Sequence, residues 1–464
     1  MDSPEKIIIK NGKIITERAS FFADILIEGE KISKVDSNIN EKDAQIIDAS
    51  GKYIFPGGID VHTHLELDTG KAEAVDDFFS GTIASVFGGT TTIIDHIAFG
   101  PKDCNLRYQL DKYHKKAAGK AVIDYSFHGV VQHINEAILD EIDTVAKSGI
   151  TSLKAYMTYD FKLSDEEILQ LLKKTEKLGV IMAFHAEDHQ KIEALKAAYV
   201  AEGKLTPEFH AKSRPDYCEA EAVKRLIKLA AIANDAPIYI VHLSSKKALE
   251  IAKEAISKGQ KNILLETCPQ YLTLTEEAYL REDGLKYIMS PPLRKKEDID
   301  ALWKALNDDI IKVIATDHCP FNYNKEKQFG KDDFTKCPNG APGIEERFSL
   351  IYSEGVSKNR ININKFVELI SVNPAKIFGL YPQKGAILPN SDADLVIFDP
   401  SQKNILKQEN LHSKADYSTY EDIEVTGKIE MVIQRGKLLV KDGAFLGQKG
   451  DGKFLARNYG NYEV

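Results

Sequence analysis

Residues 151–185, TSLKAYMTYDFKLSDEEILQLLKKTEKLGVIMAFH, hold one complete unit of the pattern that decides the fold. Thr151-Ser152-Leu153-Lys154-Ala155-Tyr156 is a short β-prone run. Ser164 with Glu167 then forms a capping box, and Ile168, Leu171 and Leu172 recur at helical spacing. Val180 to His185 is a second apolar run of strand length. The same alternation, followed outward in both directions, predicts strands at 58–62, 91–94, 121–127, 151–156, 180–185, 237–242, 262–267 and 312–316, with helical stretches between them. Eight such units predict a (β/α)8 (TIM) barrel. A doubly wound open sheet is the rival, but it wants a Gly-rich phosphate loop after its first strand, and Gly57-Gly58 precedes that strand instead.

The texture differs at both ends. Ile7 to Ile9, Lys13 to Thr16 and Ala23 to Ile27 are β runs broken by Asn11-Gly12 and Glu28-Gly29-Glu30. Ala393 to Phe398, Ile429 to Gln434 and Lys437 to Val440 repeat that texture after Gly385. The expected organisation is a β-sandwich built from both termini, 1–55 and 385–464, around a barrel of 56–384.

Composition narrows the function classes. The 464 residues are 43% hydrophobic and 28% charged, globular values that support a sizeable core. A net charge of -9, with lysines scattered among acids, lacks the basic face that nucleic-acid phosphates require, so small molecules are the expected partners. No run approaches a membrane span, and 1–10 carries charge where a signal peptide needs an apolar core, which makes the cytoplasm the default compartment. Five cysteines without CxxC spacing suit buried thiols in a reducing environment.

In a (β/α)8 barrel the chemistry sits at the C-terminal ends of the strands. Strand one ends in His62-Thr63-His64, whose i, i+2 spacing sends both imidazoles to one face. Strands five, six and eight end at His185, His242 and Asp317. One such histidine is usually a packing residue, but five ligand types on one rim point to a divalent metal site of the kind Zn²⁺ prefers. Four histidines and an aspartate exceed one tetrahedral centre with an open position, which implies two ions. Strand four offers only Lys154 as a bridge: either it stays outside the site, or it has reacted with CO₂ to become a carbamate, and the spacing does not choose between them. His318 is expected on the opposite side of its strand from Asp317, held by a hydrogen bond; His96, His128 and His189 read as pocket or packing residues, and a Cys319 ligand would be surplus. The long connection 188–214 is expected to contain a helix that covers the pocket or meets a neighbouring subunit.

These residues resemble the dihydropyrimidinases and D-hydantoinases of the amidohydrolase superfamily. The likeness is carried by Gly57-Gly58-Ile59-Asp60-Val61-His62-Thr63-His64, the Lys154 strand, Phe184-His185-Ala186-Glu187, Val241-His242-Leu243-Ser244, Ala315-Thr316-Asp317-His318-Cys319-Pro320 and Asn339-Gly340-Ala341-Pro342-Gly343-Ile344-Glu345. It runs nearly end to end, including Gly385-Ala386 and Asp392-Ala393-Asp394-Leu395-Val396. The resemblance implies two divalent ions, Zn²⁺ by preference, with Lys154 carboxylated between them. His62, His64 and Asp317 match the ligands of the first ion, and His185 and His242 those of the second. Tyr159 matches the tyrosine that stabilises the oxyanion, and Ser290 and Asn339 match positions whose main chain holds the cyclic imide.

The implied reaction is hydrolysis of a cyclic ureide to an N-carbamoyl amino acid: a water deprotonated between two cations attacks the ring carbonyl, and Asp317 shuttles the proton to the leaving nitrogen. Dihydroorotases, which share the ligands, typically carry an Arg just after the His-x-His pair to grip an anionic substrate. Leu65-Glu66-Leu67-Asp68 stands there instead, favouring an uncharged ring such as dihydrouracil, dihydrothymine or a 5-substituted hydantoin. Leu65, Leu67, Tyr156 and Phe161 either line a substituent pocket or simply pack. Scaffold proteins of this fold lack several metal residues, whereas all six are present here. The resemblance also implies a homotetramer whose tail, 451–464, reaches another subunit.

Overall fold

The computed structural model describes residues 6–462 and 464; part of the charged 1–10 stretch therefore lies outside the described residues, as does residue 463 of the tail. Eight parallel strands, β1 (Gly58–Thr63), β2 (Thr90–His96), β3 (Asp124–Val130), β4 (Ser152–Tyr156), β5 (Ile181–His185), β6 (Ile238–Ile240), β7 (Ile263–Thr267) and β8 (Val313–Ile314), pair in chain order. No strand order reverses, so the doubly wound rival is excluded. A parallel bridge between Thr63 and His318 joins the two ends of the sheet. Arg347, fully buried, ties the same seam by donating to the carbonyls of Ile59 (2.9 Å) and Ile314 (3.0 Å) and to Thr90 Oγ1 (2.9 Å).

The expected capping box is present: Ser164 Oγ accepts from Glu167 N at 3.3 Å, and Glu167 Oε2 accepts from Ser164 N at 2.8 Å. The helix Asp165–Leu178 follows, burying Ile168, Leu171 and Leu172 and ending at Gly179 with φ of 68°.

Three strands lose more than one expected residue, each for a hydrogen-bonding reason. The apolar run 121–127 enters the ladder only at Asp124, because Ala121 O accepts from the tail at Gly452 N (3.0 Å) and Val122 N donates to Thr82 Oγ1 (3.0 Å). Strand β6 stops at Ile240, and His242 N donates to Glu266 Oε1 at 2.9 Å. Strand β8 stops at Ile314, and Thr316 N donates to Asp60 Oδ1 at 3.2 Å. Buried carboxylates thus take over backbone donors at the strand ends that carry His242 and Asp317.

Both chain ends do share a sheet. Seven strands include Lys13–Ile15, Ser20–Phe22 and Tyr53–Pro56 from the N-terminal side and Leu395–Ile405, Glu424–Gln434, Lys437–Lys441 and Ala444–Phe445 from the C-terminal side. Leu395 pairs with Pro56 and Ile397 with Ile54. A four-stranded sheet (Lys6–Lys10, Asp24–Glu28, Lys31–Asp36, Gln45–Asp48) packs on it through Ile7, Ile25, Ile47, Ile54, Leu395 and Ile433, completing the sandwich.

The tail lies along its own barrel. Leu455 N donates to Tyr125 O (2.7 Å) and Arg457 N to Gly149 O (2.9 Å). The buried Arg457 guanidinium donates to Phe127 O (2.6 Å), Ser126 Oγ (2.9 Å) and Ser152 Oγ (2.8 Å).

Candidate active site

The strand ends bring the six predicted ligand residues into one cavity of about 620 Å³. His62 Nε2 and His64 Nε2 each lie 3.1 Å from Asp317 Oδ1, and ligand atoms of the three residues fall within 4.8 Å of one another. His185 Nδ1 faces His242 Nε2 at 2.9 Å. The rings of His62 and His242 stack at 5.4 Å, so the two groups adjoin. Lys154 joins them from β4, 2% exposed, its Nζ without a hydrogen-bond partner.

Burial governs the electrostatics. It pushes the Lys154 amine down to about 7, against the opposing pull of Glu266 and Asp317. Burial likewise lowers His64 and His185, and lowers His242 further, leaving neutral imidazoles suited to ligation. At His62 burial is outweighed by the carboxylates of Glu266 and Asp317, which raise it to about 9. A bound cation would take the place of that proton. Lys154 Nζ, His64 Nδ1 and His242 Nδ1 are all buried without partners, and the donor set is imidazole plus carboxylate; the residues therefore fit a divalent metal centre.

Around these groups stand residues that the sequence did not reveal as part of the site. Glu266 accepts from His62 Nδ1 (2.7 Å), His242 N (2.9 Å) and the Tyr239 hydroxyl (2.8 Å), so one carboxylate orients a residue of each ligand group. Glu187 accepts from His185 Nε2 at 2.8 Å and from Arg214 Nη1 at 2.5 Å. Their signal was present: Glu266 interrupts the apolar run of β7, and Asp60 that of β1. A carboxylate inside a buried strand must have a partner.

Tyr159 follows β4 with φ of 69°, and the side chains of Ser290 and Asn339 lie beside its hydroxyl. The Arg214 guanidinium lies 5.5 Å from its ring centroid. His242 (39°) and Asp317 (55°) also have positive φ, so three predicted site residues sit in a backbone region that non-glycine residues seldom occupy. Leu67, Tyr156 and Phe161 line the cavity, joined by Phe99, whose ring centroid is 3.4 Å from that of Phe161. Leu65 does not line it: fully buried, it packs against Gly81, where an added Cβ would meet Leu65 Cδ2 at 2.3 Å. His318 turns away as expected, with Nε2 3.0 Å from Asp76 Oδ2. The 188–214 connection supplies the helix His189–Ala201, and its residues His189, Glu193, Lys196, His210, Ser213 and Arg214 form one wall of the cavity.

Residues 53–439 match the Amidohydrolase family. The chain belongs to that family. Among relatives, this amidohydrolase is 48% identical to a D-phenylhydantoinase of Escherichia coli over 453 residues, 97% of this chain and 98% of the relative. A dihydropyrimidinase from Brevibacillus agri superimposes with a TM-score of 0.96 at 42% identity, covering 98% of this chain and 99% of that one. An L-hydantoinase (dihydropyrimidinase) from Arthrobacter aurescens gives 0.88 at 30% identity, covering 97% and 99%. The resemblance to dihydropyrimidinases and D-hydantoinases read from the motifs is borne out, and the protein is an enzyme of the amidohydrolase kind.

Proposed function

We propose that this amidohydrolase opens the ring amide of uncharged cyclic ureides, 5-substituted hydantoins and 5,6-dihydropyrimidines, to N-carbamoyl amino acids. The observation that carries the reading is the convergence of six ligand-type residues beside the hydroxyl of Tyr159 in one cavity. His62, His64 and Asp317 would hold one divalent ion and His185 and His242 a second, Zn²⁺ by preference, with Lys154 carboxylated between them; such ions supply Lewis acidity and a water of lowered pKa.

The chain's own groups do the rest. Asp317, a carboxylate held well below the usual range because His62 and His64 outweigh its burial, accepts the proton of the attacking water and passes it to the leaving ring nitrogen. Tyr159 keeps its proton, since burial raises its pKa, and donates it in a hydrogen bond to the carbonyl oxygen as charge develops there. Ser290 and Asn339 stand beside that hydroxyl, where they hold the imide of the ring. Glu266 and Glu187 fix the ring orientation of His62 and His185.

Two features support a neutral ring with an aromatic substituent. Arg214, a cation of the cavity wall, is already neutralised by Glu187 at 2.5 Å, and no arginine follows His64. Phe99, Tyr156 and Phe161 form an aromatic wall, and the 48%-identical relative is a phenylhydantoinase. From the family resemblance we also take the homotetramer, and from the pattern of strands along the sequence the barrel limits 56–384. Five unpaired cysteines favour a cytoplasmic location, and among the described residues no helix is long and apolar enough to cross a membrane.

The test is a hydrolysis panel on the metal-loaded enzyme: phenylhydantoin, hydantoin, dihydrouracil, dihydrothymine, allantoin and dihydroorotate. The highest kcat/KM is expected for phenylhydantoin. Preference for dihydroorotate or allantoin would overturn the neutral-ring argument, and failure to open any ring with metal bound would overturn catalysis itself.

A further inference from the structure

His96 is the last residue of β2 and has no part in the ligand set. It is 1% exposed, yet neither ring nitrogen has a hydrogen-bond partner. Such a double vacancy in a buried imidazole is rare in folded proteins, because each unpaired nitrogen forfeits the hydrogen bond it made to water. The ring is also boxed in. His128 stacks on it at 4.1 Å with 15° between the planes, and His62 meets it at 4.3 Å. His128 is itself fixed, donating from Nε2 to Val61 O (2.9 Å) while Nδ1 meets Ser152 Oγ (2.6 Å), the hydroxyl that also accepts from Arg457. His96 therefore cannot swing to another acceptor.

What surrounds it identifies the missing partner. The groups whose charges bear on the His96 ring are His128, His62, Lys154 and His64. Among them Lys154 Nζ, like His64 Nδ1, is itself buried without a partner, and Lys154 alone of the four carries an amine that can take up a further group. A group bonded to Lys154 that presents two acceptor oxygens would satisfy Lys154 and His96 at once. A carbamate does this: the neutral amine attacks the carbon of CO₂, an N–C bond forms, one C–O π pair moves onto oxygen, and one amine proton leaves to water.

We infer that His96 is a positioning residue for the carboxylated Lys154, donating a ring N–H to a carbamate oxygen and holding that head group in place for the metals. This rests on the carboxylation reading above, and the experiment separates the two. The holoenzyme and its His96→Phe, His96→Gln and Lys154→Ala variants are stripped of metal, equilibrated with ¹³C-bicarbonate and zinc, and examined by ¹³C NMR and metal analysis. The native chain is expected to show a carbamate resonance that Lys154→Ala abolishes. His96→Phe, which keeps a ring in the stack, is expected to need at least about tenfold more bicarbonate to regain the resonance and the second zinc. His96→Gln, which retains a donor, should recover part of that loss, and it decides the question if the Phe variant does not fold. Native bicarbonate dependence in both variants overturns the role of His96. Absence of the resonance from the native chain overturns the carboxylation of Lys154 instead.

Discussion

Tyr159 shows how much of the proposed chemistry hangs on single side chains. Tyr159→Phe removes the hydroxyl and leaves the ring beside Arg214, so kcat is expected to fall about a hundredfold with KM little changed. A fall under about threefold in steady-state assays would remove Tyr159 from the oxyanion role. Glu346 makes a separate prediction about stability. Burial raises its pKa to about 7, and its Oε1 accepts from Ser418 Oγ (2.8 Å). The unfolded carboxyl loses its proton near 4.5 and the folded one near 7, so the stabilising contrast is full below 4.5 and is lost as pH rises through 7. Glu346→Gln should therefore flatten urea-unfolding stability between pH 5 and pH 8, by on the order of 3 kcal/mol, whereas an unchanged pH slope would mean that Glu346 is ionised in the fold. The ligands were legible in the sequence because each ends an apolar run. Their supports were not: Glu266 meets His62 across 204 residues and Arg214 meets Glu187 across 27, and no local pattern encodes such a meeting.

At the scale of elements, periodicity and capping located all eight barrel strands, because a strand buried on both faces is apolar along its length. The ends of β3, β6 and β8 escaped, since the hydrogen bonds that truncate them come from a side chain or a distant segment. The seam between β1 and β8 is the corresponding structural risk: only two ladder residues form β8, and Arg347 bonds both edges. Arg347→Met is expected to leave two buried carbonyls without donors and to cost about 2–4 kcal/mol in chemical denaturation. A cost below about 0.5 kcal/mol would show that the Thr63–His318 bridge closes the barrel unaided.

For the whole molecule, the decisive contact is between sandwich and barrel. Lys384, 1% exposed, meets Asp124 of β3 at 2.6 Å and Asp392 and Asp394, which precede the strand Leu395–Ile405, at 3.0 and 2.9 Å. Lys384→Met removes the cation shared by three buried carboxylates, leaving Asp124 with Arg435 (3.1 Å) and Asp392 with Lys31 (2.6 Å), and is expected to lower stability by about 3 kcal/mol, read as a fall in Tm; an unaltered Tm would mean that these remaining partners suffice. The shared sheet was legible as β texture at both ends, but its register was not, because nothing local tells Tyr53–Pro56 that its neighbour is Leu395–Ile405. Phe55 likewise packs against Phe348, Phe366 and Phe398, all distant in the chain. A ribosome delivers those partners late. Until residue 395 has emerged, the nascent chain carries Tyr53–Pro56 with one side of its backbone unpaired and Phe55 uncovered, so the interval of synthesis between the two halves is when this protein is most exposed to aggregation and most in need of a chaperone.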